Sequence, residues 1–209
     1  ASNSQGLADG RAVRRTQLVR LALSFFSQIE SVETTAEGIL SDSASCPASM
    51  TMAAMSIRAT VSWRRGKASD ALRAIEESVD LWQRQSGDSF DSYPLWQKAW
   101  MLLRMQELDA ADGAIEALGR VIESSRTEVL VPVYLSLRGW CRLARGDMAG
   151  AEVDGSDALS LCYRYRMQLP VPWLHAFLAC TALRRGELGL ASDCVQRLDE
   201  CLPHLSLIH

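Results

Sequence analysis

The sequence predicts an all-α fold, an α-solenoid of about five helix hairpins with a 40-residue period, and three columns of residues predict it. Alanine recurs at 71, 111, 151 and 191 without drift. Five residues before each alanine, a helix-ending slot holds Gly66, Gln106, Gly146 and Gly186. Seven residues before that slot stand Ala59, Ala99, Gly139 and Ala179, all small. Self-similarity at a fixed interval of this length marks a repeat array rather than one closed core. The small columns mark where the two helices of a hairpin approach most closely. A larger side chain there would force the backbones apart, at a cost of about 1–3 kcal/mol.

Each unit reads as a helix A, a tight turn and a helix B. Apolar residues precede the turn at helical spacing, as in Leu135, Gly139 and Leu143. Arginines crowd the last turn (Arg64, Arg65, Arg145, Arg184, Arg185), where cations complement the helix dipole. Glycine then supplies the left-handed residue that stops the helix. Helix B follows with a stripe such as Leu108, Ala111, Ile115, Leu118 and Ile122. These offsets resemble the tetratricopeptide repeat, in which a small residue, a turn glycine, an apolar residue and an alanine fall at the same mutual distances. The resemblance implies paired helices stacked into a superhelix. Two departures stand out: the unit is six residues longer than usual, and Ser62, Leu102, Arg142 and Ala182 replace the customary aromatic before the turn.

Along the chain, residues 1–10 read as disorder or an expression tag, and 11–209 as a single superhelical domain, a fragment of a longer chain. Residues 11–26 read as an amphipathic helix with Leu18, Leu21, Ala22 and Phe25 on one face and Arg11, Arg14, Arg15 and Arg20 on another, read as a solvated face, with a phosphate or DNA contact as the alternative. Ser27 and Glu30 make a capping box for a helix carrying Val32, Ala36, Ile39 and Leu40, a degenerate first unit. Pro47 opens the second unit, with helices over about 48–65 and 69–85. The third opens near Tyr93-Pro94, turns at Gln106 to Asp109 and runs to about Ser125. The fourth and fifth open on Pro132 and Pro172, both suited to a first helical turn. Gly119 and Gly155 inside B helices each cost about 1 kcal/mol relative to alanine, and close packing accounts for both. The tail Leu205-Ser206-Leu207-Ile208-His209 is apolar without a partner helix of its own, where an array needs a polar cap.

Composition narrows the function. The 209 residues are 48% hydrophobic with a net charge of −3, which argues against a nucleic-acid-binding face on this segment. All but Lys67 and Lys98 of the 22 basic residues are arginine, which suggests a GC-rich bacterial coding bias. No apolar run reaches transmembrane length. The six cysteines show no close pairing and read as reduced core thiols of a cytoplasmic protein, with a disulfide framework as the alternative. Gly66-Lys67 lacks the residues of a phosphate loop. His175, His204 and His209 have no metal-spaced cluster, so no metal or cofactor is expected. Acidic pairs such as Glu76-Glu77 diverge on a helix and cannot form a catalytic dyad. The segment is therefore expected not to be an enzyme.

The informative chemistry is aromatic. In tetratricopeptide superhelices the concave groove is lined by helix A positions three, six, ten and thirteen before the turn slot. Those positions here give Trp63, Tyr93, Trp96, Trp100, Trp140 and Trp173, with Arg138 and Arg142 flanking Trp140. Two arrangements are open: a ligand-binding groove for a sugar, peptide or drug-like molecule, or rings that fill the interior between neighbouring A helices.

The segment from Leu169-Pro170-Val171-Pro172-Trp173-Leu174 to Arg184-Arg185-Gly186-Glu187-Leu188 is similar to the helical-repeat region of large LuxR-type transcriptional regulators. So is Leu135 through Asp147, with its Arg138-Gly139-Trp140-Cys141-Arg142 core. Those proteins carry a signal-transduction ATPase before the repeats and a helix-turn-helix after them. The resemblance covers roughly residues 47–203. It implies an effector-sensing or self-association module that binds a small effector or protein partner and touches the ATPase and DNA-binding domains of its parent chain. No direct contact with nucleic acid or membrane is expected, while homo-oligomers are. A generic tetratricopeptide scaffold that docks a protein or peptide is the second reading.

Overall fold

The computed structural model describes residues 29–85 and 92–205. The expected disorder at 1–10, the helix at 11–26, Ser27 of the capping box and the tail beyond Leu205 lie outside the described residues. Every element among the described residues is helical: α1 (Ile29–Ser41), α2 (Ala48–Arg64), α3 (Ala68–Arg84), α4 (Tyr93–Arg104), α5 (Leu108–Ser125), α6 (Val131–Ala144), α7 (Met148–Arg164), α8 (Val171–Arg185) and α9 (Leu188–Leu205), with a 3₁₀ turn at Glu128–Leu130. No strand occurs among the described residues. The expected helix limits agree within a residue at most ends, and Pro94, Pro132 and Pro172 lie in the first turns of α4, α6 and α8.

The turn slot has one backbone geometry at all four positions. Gly66, Gln106, Gly146 and Gly186 have φ of 75°, 63°, 87° and 78°. The same two carbonyls are closed each time. The slot N–H donates three residues back (Gly146 to Leu143, 3.2 Å), and the next N–H donates five back (Asp147 to Arg142, 2.9 Å). This is the Schellman closure that satisfies the orphan carbonyls of a helix end. Ala71, Ala111, Ala151 and Ala191 follow, all buried, each donating to the carbonyl four residues earlier.

Contacts between Cα atoms divide the chain into two compact units, residues 1–82 and 83–209. In the first, α1 packs on α2, and Arg65 grips Glu33 with two hydrogen bonds of 2.6 Å. The α2–α3 pair is tied by Arg58 to Glu77 at 2.7 Å and by the Ser78 hydroxyl donating to the Met52 carbonyl at 3.2 Å. Met52, Ala54, Ala59 and Ile75 form its buried interior.

The second unit is three hairpins, α4–α5, α6–α7 and α8–α9, whose A helices touch in turn: α4 meets α6, and α6 meets α8. Arginines at the ends of α6 and α8 fasten each to the hairpin before. Arg145 reaches Asp109 (2.8 Å) and Asp112 (2.7 Å) on α5, Arg184 donates to the Leu143 carbonyl at 3.0 Å, and Arg185 pairs with Glu152 on α7. The dipole role assigned to these arginines from sequence is thus joined by a tertiary one. Apolar burial supplies the larger stabilisation: Met101, Ile115, Leu118 and Phe177 are each almost wholly buried, at about 1.5–3 kcal/mol apiece.

Candidate functional site

The exposed tryptophans of the second unit all lie on its A helices. Trp96 and Trp100 stand four residues apart on α4, so they share a face. Trp140 occupies the matching place on α6 and Trp173 the first turn of α8. All four remain open to solvent: Trp96 37%, Trp100 36%, Trp140 39% and Trp173 69% exposed. Tyr93 is half-buried at the start of α4. Trp63 is half-buried on α2, in the first unit. The rings are not identical in setting. Trp140 leans on the buried Phe177 with centroids 4.8 Å apart and planes at 57°, whereas the Arg104 guanidinium lies 6.0 Å from the Trp100 ring centroid. An indole with one face packed and an edge in water offers a rigid apolar platform with a hydrogen-bond donor.

Arg138 and Arg142 are turned to a different task. Both converge on Asp154 of α7, a carboxylate with no exposed surface. Arg138 donates to its two oxygens at 2.6 and 3.0 Å, and Arg142 lies 3.0 Å from one of them. Arg138 also donates to the Tyr134 hydroxyl at 3.1 Å and sits 5.1 Å from that ring's centroid. Arg142 donates to the Gly150 carbonyl at 3.2 Å. The Asp154 hydrogen bonds hold the Arg138 proton more firmly than usual, against the opposing effect of burial. A lone buried carboxylate would be expensive, and two arginines with fork geometry satisfy it. Asp154 carried no functional sign by itself. The legible signal was an acid in a column otherwise held by Ala74, Ala114 and Cys194, with an arginine sixteen residues before it.

Glycines admit this cluster. A Cβ on Gly139 would stand 2.9 Å from Phe177 Cζ and 3.3 Å from Asp154 Cβ, and one on Gly155 would stand 2.6 Å from Phe177 Cε1. Phe177 of α8 therefore enters a notch that only two glycines leave open. Gly119 likewise faces the Tyr134 ring at 3.0 Å. The close packing expected at Gly119 and Gly155 is present at both.

Of the thiols expected in the core, three are shielded, while Cys180 is exposed and Cys46 and Cys201 are half-buried. All six cysteines are free, Cys141, Cys162 and Cys194 are buried, and burial raises the Cys162 thiol to about 11. His175 is buried on α8, its Nε2 3.1 Å from the Tyr163 hydroxyl. Among the described residues, no His/Cys/Asp/Glu group is arranged to hold a metal, and no helix is long and apolar enough to cross a membrane. A cavity of about 80 Å³ lies between α7, α8 and α9, bordered by Glu152, Arg185 and Cys194, away from the tryptophans.

No family model matches this chain, and no curated protein matches it. Among solved structures, the crystal structure of BtubC (BKLC) from P. vanneervenii is similar, with a TM-score of 0.65 and 13% identity over 97% of this chain and 89% of that one. At that identity the likeness is one of fold alone.

Proposed function

We propose that the chain is a non-catalytic recognition domain, a tetratricopeptide-like solenoid with a 40-residue period whose A-helix tryptophan face binds a ligand. The carrying observation is the exposure of Trp96, Trp100, Trp140 and Trp173, rings that a soluble protein gains by burying unless a partner covers them. Support for the period comes from the four left-handed turn slots and the four buried alanines. The parent protein is a LuxR-type bacterial transcriptional regulator, cytoplasmic, in which this domain senses an effector or a protein; that part rests on the sequence resemblance.

The face is tested with Trp96→Ala and Trp173→Ala, which remove exposed rings and leave the Trp140–Phe177 packing intact. A thermal-shift screen of small effectors and peptides should give hits with the native chain that the double variant loses, while the unliganded melting temperature stays within about 2 °C. Hits retained by the variant would dismiss the face. The parent reading is tested by the encoding reading frame: a phosphate loop upstream and a helix-turn-helix downstream support the regulator, and their absence favours a generic scaffold.

A further inference from the structure

Charge is sorted between the two helices of every hairpin in the second unit. Helices α4, α6 and α8 contain no aspartate or glutamate, and each carries two basic residues. Their partners α5, α7 and α9 carry three or four acids against a single arginine. The net charge of −3 conceals this division. Three of these six cations pair with carboxylates of the fold, Arg138 and Arg142 with Asp154 and Arg185 with Glu152. Two others do not. Arg104 lies over Trp100, and Arg184 touches the Leu143 carbonyl; neither guanidinium pairs with a carboxylate among the described residues. Arg104 follows Trp96 and Trp100 at intervals of four, and Arg184 holds the matching place on α8.

We infer that this face binds an acidic polypeptide segment bearing apolar side chains, which deepens the recognition reading above and rests on it. Exposed indoles would take the apolar side chains, and Arg104 and Arg184 the carboxylates, with no acid on the A helices to repel them. Extent favours a polypeptide over a small molecule. Three neighbouring helices at about 8–10 Å spacing present roughly 20 Å of surface, the reach of about six extended residues. The rings stand open rather than lining an enclosed pocket, and the 80 Å³ cavity elsewhere falls far below the roughly 300–1,000 Å³ of typical small-molecule sites. Nucleic acid fits less well, since tight binding commonly engages about six to ten phosphates and only two arginines of these helices, Arg104 and Arg184, lack a carboxylate partner.

The test uses three synthetic twelve-residue peptides with one Leu/Phe pattern and Glu, Gln or Lys at the remaining positions, together with single-stranded dT12. Binding to the full chain is followed by tryptophan fluorescence at low and high salt. The Glu peptide should bind at least tenfold tighter than the Gln and Lys peptides and weaken with salt. Arg104→Glu should remove that advantage, and Arg184→Glu should reduce it, with circular dichroism reporting that each variant folds. Arg104→Gln, which adds no new charge, should give an intermediate loss. Equal affinity for Glu and Gln peptides overturns the inference, as does binding to none of them or tighter binding to dT12. Equal affinity that Trp96→Ala with Trp173→Ala abolishes removes the charge argument alone and leaves the tryptophan face standing. The effector screen decides that broader reading independently.

Discussion

The hairpins α4–α5 and α6–α7 are built on one backbone plan and filled in opposite ways. In the former three facing places are apolar: Ala99 on the A helix, Ala114 and Ile115 on the B helix, all buried. In the latter, Gly139, Asp154 and Gly155 hold those three places. The change extends into the next A helix, where Phe177 stands at the place held by Leu137 in α6. A bulky B-helix residue with a leucine has been exchanged for glycine with a phenylalanine, so size moves from one column to another. Such volume-conserving exchanges are tolerated when made together and costly when made singly. The second difference is electrostatic, because the α6–α7 hairpin holds a buried carboxylate that its neighbour replaces with alanine. The two hairpins thus differ widely inside one backbone frame, and each departure is answered by a contact.

The largest effect is expected from unpairing that carboxylate's partners. Asp154→Ala leaves two arginines facing a cavity and should destabilise the chain by about 3 kcal/mol, at the lower end for a broken buried pair because both arginines are partly exposed. Converting the set to the α4–α5 residues, with Arg138→Lys and Arg142→Leu added, should recover most of the loss in chemical denaturation. No recovery would show that the network contributes more than mutual neutralisation.

Next comes the notch. Gly155→Ala should cost about 2 kcal/mol, since its methyl group meets the Phe177 ring within 2.6 Å. Gly155→Ile combined with Phe177→Leu, which recreates the neighbouring arrangement, should be more stable than Gly155→Ile alone. Additive losses in that double variant would break the size-exchange comparison.

A smaller effect concerns pH. His175 stands where α4 and α6 have Leu95 and Leu135. Burial, and then the nearby Arg197, lower its pKa, while Glu200 opposes them; Tyr163 faces it from α7. The unfolded chain therefore binds a proton more readily than the folded one near the ordinary histidine value of about 6.5. Its contribution is complete above that value and declines as pH falls below it. His175→Leu should flatten the melting temperature between pH 7 and 5, and an unchanged slope would refute the assignment. The smallest effect is expected at Arg126, held at a φ of 53°, where glycine should stabilise by up to about 1 kcal/mol.

Much of the frame was legible because it is local. Helix limits follow from apolar spacing, proline placement and capping preference, and the Gly66, Gly146 and Gly186 turns follow from the left-handed conformation that glycine accepts cheaply. Gln106 was placed by its column alone. The second set of left-handed stops, Arg126 and Arg166, forty residues apart, has no sequence signature, because arginine carries no preference for that conformation. Position placed the tryptophans on one face of the A helices, but it left open whether they face solvent or fill the interior. The destinations of Arg138 and Arg142 were hidden as well, since either side of α6 lay within reach of such long side chains.

What the sequence determined by itself was the succession of helices and the narrow places between them, because hydrophobic period and small residues act over a few residues of chain. Tertiary structure alone decided that Phe177 would enter the glycine notch, that Asp154 would gather two arginines, and that Arg104 and Arg184 would stay clear of carboxylates. Those outcomes depend on distances between residues far apart in sequence, which only the packed helices set.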